Sequence, residues 1–67
     1  MPRFRNDTTR QIYVELDSLL GKIANAHTLS HRLGLPERTV RAHLSRLTQR
    51  GIVRRDGEVP SLFEIAA

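Results

Sequence analysis

Arginine is the residue through which this sequence could act on a partner. Arg32, Arg38, Arg41, Arg46, Arg50, Arg54 and Arg55 all fall between positions 32 and 55, where Glu37 is the sole acidic residue. That segment therefore carries +6, more than the net +4 of the whole 67-residue chain. The neighbouring stretches do not share the bias: residues 6–31 sum to −1 and residues 56–67 to −3. A guanidinium is planar, permanently charged and forked, which suits it to phosphate oxygens and to the edge of guanine. The chemistry on offer is recognition of a polyanion. A solvated arginine face on an ordinary helix is the competing reading.

Other chemistry finds less support. His27 and His31 stand four apart, a spacing that lets two imidazoles on one helix reach the same metal ion. There is no cysteine, however, and no acidic residue lies between Asp17 and Glu37. No metal site is expected. No nucleophile is matched with a base, no paired carboxylates stand together and no glycine-rich phosphate loop is present. The reading is of a non-enzyme without a cofactor or a small-molecule site. With no long apolar run and no signal-like segment, no membrane partner is expected and a cytoplasmic location is the default.

A chain of 7.7 kDa has room for one small core. Thr8 and Gln11 are spaced as a capping box, and Ile12, Leu16 and Leu19 follow as one stripe of an amphipathic helix ended by Gly21. Ile23 then belongs to a short extended link. A second helix of about two turns runs from Asn25, a good N-cap, to Gly34, a good C-terminal stop. A third spans 36–50, with Pro36 in its first turn and Val40, Leu44 and Leu47 as its buried stripe. Beyond Gly51 the period becomes extended. Ile52–Arg55 and Ser61–Ile65 read as two strands around an Asp56-Gly57 turn. The expected fold is mainly α with a small β-hairpin: residues 1–7 form a basic, flexible arm and residues 8–67 the domain.

The stretch TLSHRLGLPERTVRAHLSRLTQRGIVRR resembles the core of the winged helix-turn-helix family of bacterial transcription regulators. The resemblance covers residues 8 to 66 and is strongest from Leu29 to Arg55. It is carried by Leu29-Ser30, Leu33-Gly34-Leu35, Thr39-Val40, His43-Leu44, Leu47 and Gly51-Ile52-Val53. The spacing is similar to IclR-, MarR- and ArsR-type DNA-binding domains, and the size to small fimbrial regulators of the PapI and FaeA type. The resemblance implies a three-helix winged helix-turn-helix that binds double-stranded DNA through helix 36–50, with the hairpin as its wing.

On that helix Arg38, Ala42, Ser45, Arg46 and Gln49 face away from the buried stripe, flanked by Arg41 and Thr39. Residues near the start of a docked recognition helix meet base edges, which makes Arg38, Arg41 and Ala42 the base-reading candidates. Thr39, Ser45, Arg46, Gln49, Arg54 and Arg55 are the phosphate candidates. Asp56 and Glu58 at the hairpin tip would repel phosphate and argue against deep insertion of the wing. Arg3 and Arg5 could follow a minor groove or stay solvated. Val14, off the core stripe, could join Phe4 in a homodimer patch. The function expected is sequence-specific DNA binding by a small transcriptional regulator. The alternatives are a winged-helix module that binds protein, or an accessory factor for plasmid or phage partition, replication or recombination.

Overall fold

Asn6 decides where the first helix begins. In the computed structural model, which describes residues 2–66, its Oδ1 accepts from the backbone N–H groups of Thr8 and Thr9 at 2.8 and 3.2 Å. The helix α1 (Asp7–Ser18) therefore starts before the Thr8–Gln11 box expected from spacing. A short amide on extended backbone reaches both orphan donors at once, and no box is needed. Met1 and Ala67, the outermost positions of the expected arm and domain, lie outside the described residues. Ile12 and Leu16 of α1 are fully buried, and Tyr13 joins them in the core.

The helix also stops earlier than Gly21 suggested. Leu19 turns extended at its C-cap, and a single 3₁₀ turn (Leu20–Lys22) leads into the next element. That element is a strand, β1 (Ile23–Asn25), where only an extended link was expected. Asn25 then caps α2 (Ala26–Leu33), its Oδ1 accepting from the Thr28 N–H at 2.7 Å. Gly34 closes α2 in the left-handed region (φ 67°, ψ 31°), a conformation most side chains resist. It lets the Leu35 N–H return to the Ser30 carbonyl at 3.1 Å and turns the chain sharply. After Pro36, α3 (Glu37–Gln49) follows.

The last two elements are β2 (Val53–Arg55) and β3 (Leu62–Ile65). The expected hairpin forms, but its second strand is central to a three-stranded antiparallel sheet ordered β1-β3-β2. Ala24 pairs with Phe63 on one side of β3, and Val53 with Ile65 on the other. A three-residue strand shows no alternation that sequence could reveal; only a partner some 40 positions away makes it one.

One core results, from Ile12, Leu16, Leu29, Val40, Leu44 and Leu47, with Val53 and Phe63 closing it from the sheet. The stripe expected on the third helix is therefore the one that is buried. His43, beside that stripe, is buried as well, and its Nδ1 lies 2.7 Å from Thr9 Oγ1, which ties α3 to α1. Phe4 folds inward: its ring centroid is 5.1 Å from that of Tyr13, and the Arg50 guanidinium sits 5.5 Å above it. An aromatic pair of this kind contributes about 0.5–1.5 kcal/mol and an exposed cation–π contact about 0.5–1. Phe4 is thus engaged within its own chain, while Val14 stays exposed. No described helix is long and apolar enough to cross a membrane.

Candidate nucleic-acid interface

The buried stripe of α3 fixes which side chains point out. Arg38, Ala42, Ser45 and Gln49 recur at helical spacing on the face opposite Val40, Leu44 and Leu47, and all four are exposed. Arg41 lies on the flank toward the hairpin, Arg46 on the flank toward α1, and Thr39 is half-buried on that same side. Small or uncharged side chains at 42, 45 and 49 leave the outer face low. A helix without bulky outward residues can approach another surface closely, with arginines reaching from its edges.

The hairpin flank is a cleft. Arg41 and Ser45 from α3, Asn25, Ala26 and His27 from the start of α2, and Arg55 and Ser61 from the hairpin line it. The two arginines of this cleft, and Arg54 on the wing strand beside it, are already engaged. Arg41 Nη2 donates to Glu37 Oε2 at 2.8 Å, and Glu37 also receives His27 Nδ1 at 3.1 Å. Arg54 Nε donates to Glu64 Oε1 at 2.7 Å across the β2–β3 pair. The Arg55 guanidinium stacks 4.7 Å from the Phe63 ring centroid and donates to the Pro60 carbonyl at 3.1 Å. These pairs are exposed and exchangeable, worth at most about 1 kcal/mol each.

Asp56 takes a different part from the one its charge suggested. Its Oδ2 accepts from the backbone N–H groups of Glu58 and Val59 at 3.2 and 2.7 Å, and its own N–H donates to the Leu62 carbonyl at 2.9 Å. The carboxylate is folded into the loop and shapes the turn. Glu58 alone remains fully outward at the tip.

The opposite flank is lined by Arg3, Phe4, Arg5, Asn6, Thr9, Arg46, Leu47 and Arg50. Arg50 Nη2 donates to the Arg3 carbonyl at 3.1 Å, so the chain ahead of α1 runs against the C-terminal end of α3. Arg38, Arg46, Arg3 and Arg5 form no ion pair with any described residue. Burial, with Arg46 as a second influence, holds the His43 imidazole below its ordinary 6.5, which favours its neutral form.

An α2–turn–α3 unit whose second helix turns a low, arginine-edged face to solvent, braced by a β-hairpin, is the geometry of one family. Residues 24–54 match the model of the family described as winged helix-turn-helix DNA-binding. The match agrees with the fold, which is that of a winged helix-turn-helix. The match runs from β1 through α2 and α3 into β2, and the three helices and small sheet are those the winged helix-turn-helix requires. No curated protein and no solved structure gave a significant match. The match supports DNA binding, with double-stranded DNA as the partner.

The nine residues expected at the interface divide on this frame. Arg38, Ala42, Ser45 and Gln49 share the outer face; Arg41, Arg54 and Arg55 gather at the wing; Arg46 and Thr39 belong to the far flank. Sequence reasoning missed Arg50 and the docking of Arg3 and Arg5 beside it. A signal existed in the Arg46–Arg50 spacing, which puts both on one side of a helix, and in Phe4 set between two arginines. His27 and His31 stack at 4.4 Å, and Glu37 reaches His27 alone; no cluster of three possible metal ligands forms among the described residues.

Proposed function

We propose that the domain is a sequence-specific DNA-binding protein that serves as a small transcriptional regulator, with α3 lying in the major groove. The observation that carries this reading is the exposed, arginine-edged outer face of α3, backed by a fully buried Val40–Leu44–Leu47 stripe. A major groove about 12 Å wide admits one helix, and the first half of that helix approaches base edges. Arg38 stands there with a free guanidinium to present to guanine; Arg41 can exchange Glu37 for the same acceptor; the Ala42 methyl fits beside thymine. Ser45, Gln49, Thr39, Arg46, Arg54 and Arg55 are positioned to meet phosphates and fix the register. A face edged by Arg38 and Arg41 near its start suits nucleic acid better than an apolar protein partner, so the protein-binding alternative has no observation in its favour. The same face suits binding at an origin, partition or recombination site equally well, and the transcriptional role rests on family resemblance.

Selection of bound sites from a random duplex pool, followed by affinity measurements on the winning site and on a scrambled one, tests the reading. Arg38→Ala should weaken the preferred site by about 1–3 kcal/mol and relax the choice at one base pair. Arg54→Ala should weaken both duplexes alike. Failure of the pool to converge on any site would remove sequence specificity, and a wing variant that alone lost specificity would move the reading head from α3 to the hairpin.

A further inference from the structure

We infer that the arm and the C-terminal end of α3 form a phosphate clamp that grips the DNA backbone beside the site read by α3. This rests on the DNA-binding reading above and adds a second contact surface to it. Four arginines, Arg3, Arg5, Arg46 and Arg50, line a single cleft whose remaining walls are Phe4, Asn6, Thr9 and Leu47. No carboxylate lines it. Five basic side chains elsewhere are matched, Arg10 with Asp7, Lys22 with Asp17, Arg32 with Glu15, Arg41 with Glu37 and Arg54 with Glu64, whereas Arg38 and Arg55 have no carboxylate partner among the described residues. Arg3, Arg5, Arg46 and Arg50, four of the six arginines without a carboxylate partner among the described residues, therefore lie on this one flank of α3, with Arg38 on the adjoining face and Arg55 at the hairpin.

The arm reaches the cleft by specific contacts. Phe4 packs on Tyr13, Arg50 lies over the Phe4 ring, and the same guanidinium holds the Arg3 carbonyl. Phe4 is thus the anchor that sets Arg3 and Arg5 on either side of it along a chain already laid across the domain. Like charges held this close repel one another unless a polyanion lies over them. The fitting partner is a run of phosphodiesters, since guanidiniums grip phosphate oxygens by paired hydrogen bonds and the cleft offers no carboxylate to hold a cationic ligand. Arg46 and Arg50 lie on the same helix as Arg38, offset toward its end. A backbone strand bordering the groove that holds α3 would pass along that flank.

The salt dependence of binding to a non-specific duplex of about 20 base pairs, read by fluorescence anisotropy, tests the clamp. Each lost phosphate contact lowers the slope of log affinity against log salt by about one. Arg3→Ala/Arg5→Ala should lower it by about two, and Phe4→Ala should lower it in the same direction with the helical circular dichroism unchanged. Arg10→Ala/Arg32→Ala removes the same charge from a separate pocket lined by α1 and α2 and should leave the slope near that of the parent. A double arm variant with the parent's slope would overturn the clamp, as would equal losses in the two double variants, which would reduce it to bulk charge. A parent that shows no salt-dependent binding at all would overturn the DNA-binding reading itself, and the clamp with it.

Discussion

The two flanks of α3 carry similar numbers of arginines and differ in what those arginines are doing. On the wing side Arg41 and Arg54 are bound to Glu37 and Glu64, while Arg55, like Arg50 on the other flank, meets only a ring and a carbonyl. On the arm side Arg3, Arg5 and Arg46 have no acidic partner among the described residues, and Arg50 is engaged only with a ring and a carbonyl. Counting charge along the chain gives the opposite impression, since Arg54 and Arg55 belong to the +6 segment and the arm to a separate one. Formal charge belongs to sequence; available charge belongs to the surface that folding assembles. The wing resembles a self-neutralised brace, and the arm flank an open one.

The largest effect would come from removing what both flanks share. Leu44 is fully buried beneath α3, and Leu44→Ala should cost about 2–5 kcal/mol. In a domain this small, with stability of roughly 5 kcal/mol, the cooperative thermal transition should be lost or moved far down. A variant melting within a few degrees of the parent would mean that α3 is not seated as described, and neither flank would stand where it is placed.

A sharper test exchanges the states of the two flanks. Glu64→Gln releases Arg54, and Glu37→Gln releases Arg41. Each should steepen the salt slope by up to about one as a freed guanidinium finds phosphate. Asp17→Asn, which frees Lys22 outside both clefts that flank α3, adds the same charge and should have no such effect. If all three variants behaved alike, net charge would govern binding and the contrast between flanks would dissolve.

The smallest effect is expected from pH. His43 sits on the arm side, bonded to Thr9 and beside Arg46, and its pKa is lowered chiefly by burial. The unfolded chain therefore takes up this proton before the folded one does. The contribution to stability is complete above about 6.5 and declines as pH falls below it, until the folded imidazole also protonates. Melting temperature should drop between about pH 7 and 5 in the parent, and less steeply in His43→Gln. Parallel curves for the two proteins would separate His43 from the acid sensitivity of the joint between α1 and α3.

The sequence by itself determined what depends on near neighbours. Helix faces follow from side chains three and four residues apart, so the Val40–Leu44–Leu47 stripe and the exposed Arg38–Ala42–Ser45–Gln49 face were legible before any coordinates. The same holds for Asn25 and Gly34, whose capping roles act within one turn of their own helix. Tertiary structure alone decided what depends on distance along the chain. That Ile23–Asn25 is a strand required β3, 39 positions on by the Ala24–Phe63 pairing. That Arg54 is neutralised required Glu64 opposite it, and that the arm is docked required Arg50, 47 residues from the Arg3 carbonyl it holds. Charge shows in a sequence as a sum, but an ion pair exists only where two side chains meet, and folding alone brings them together.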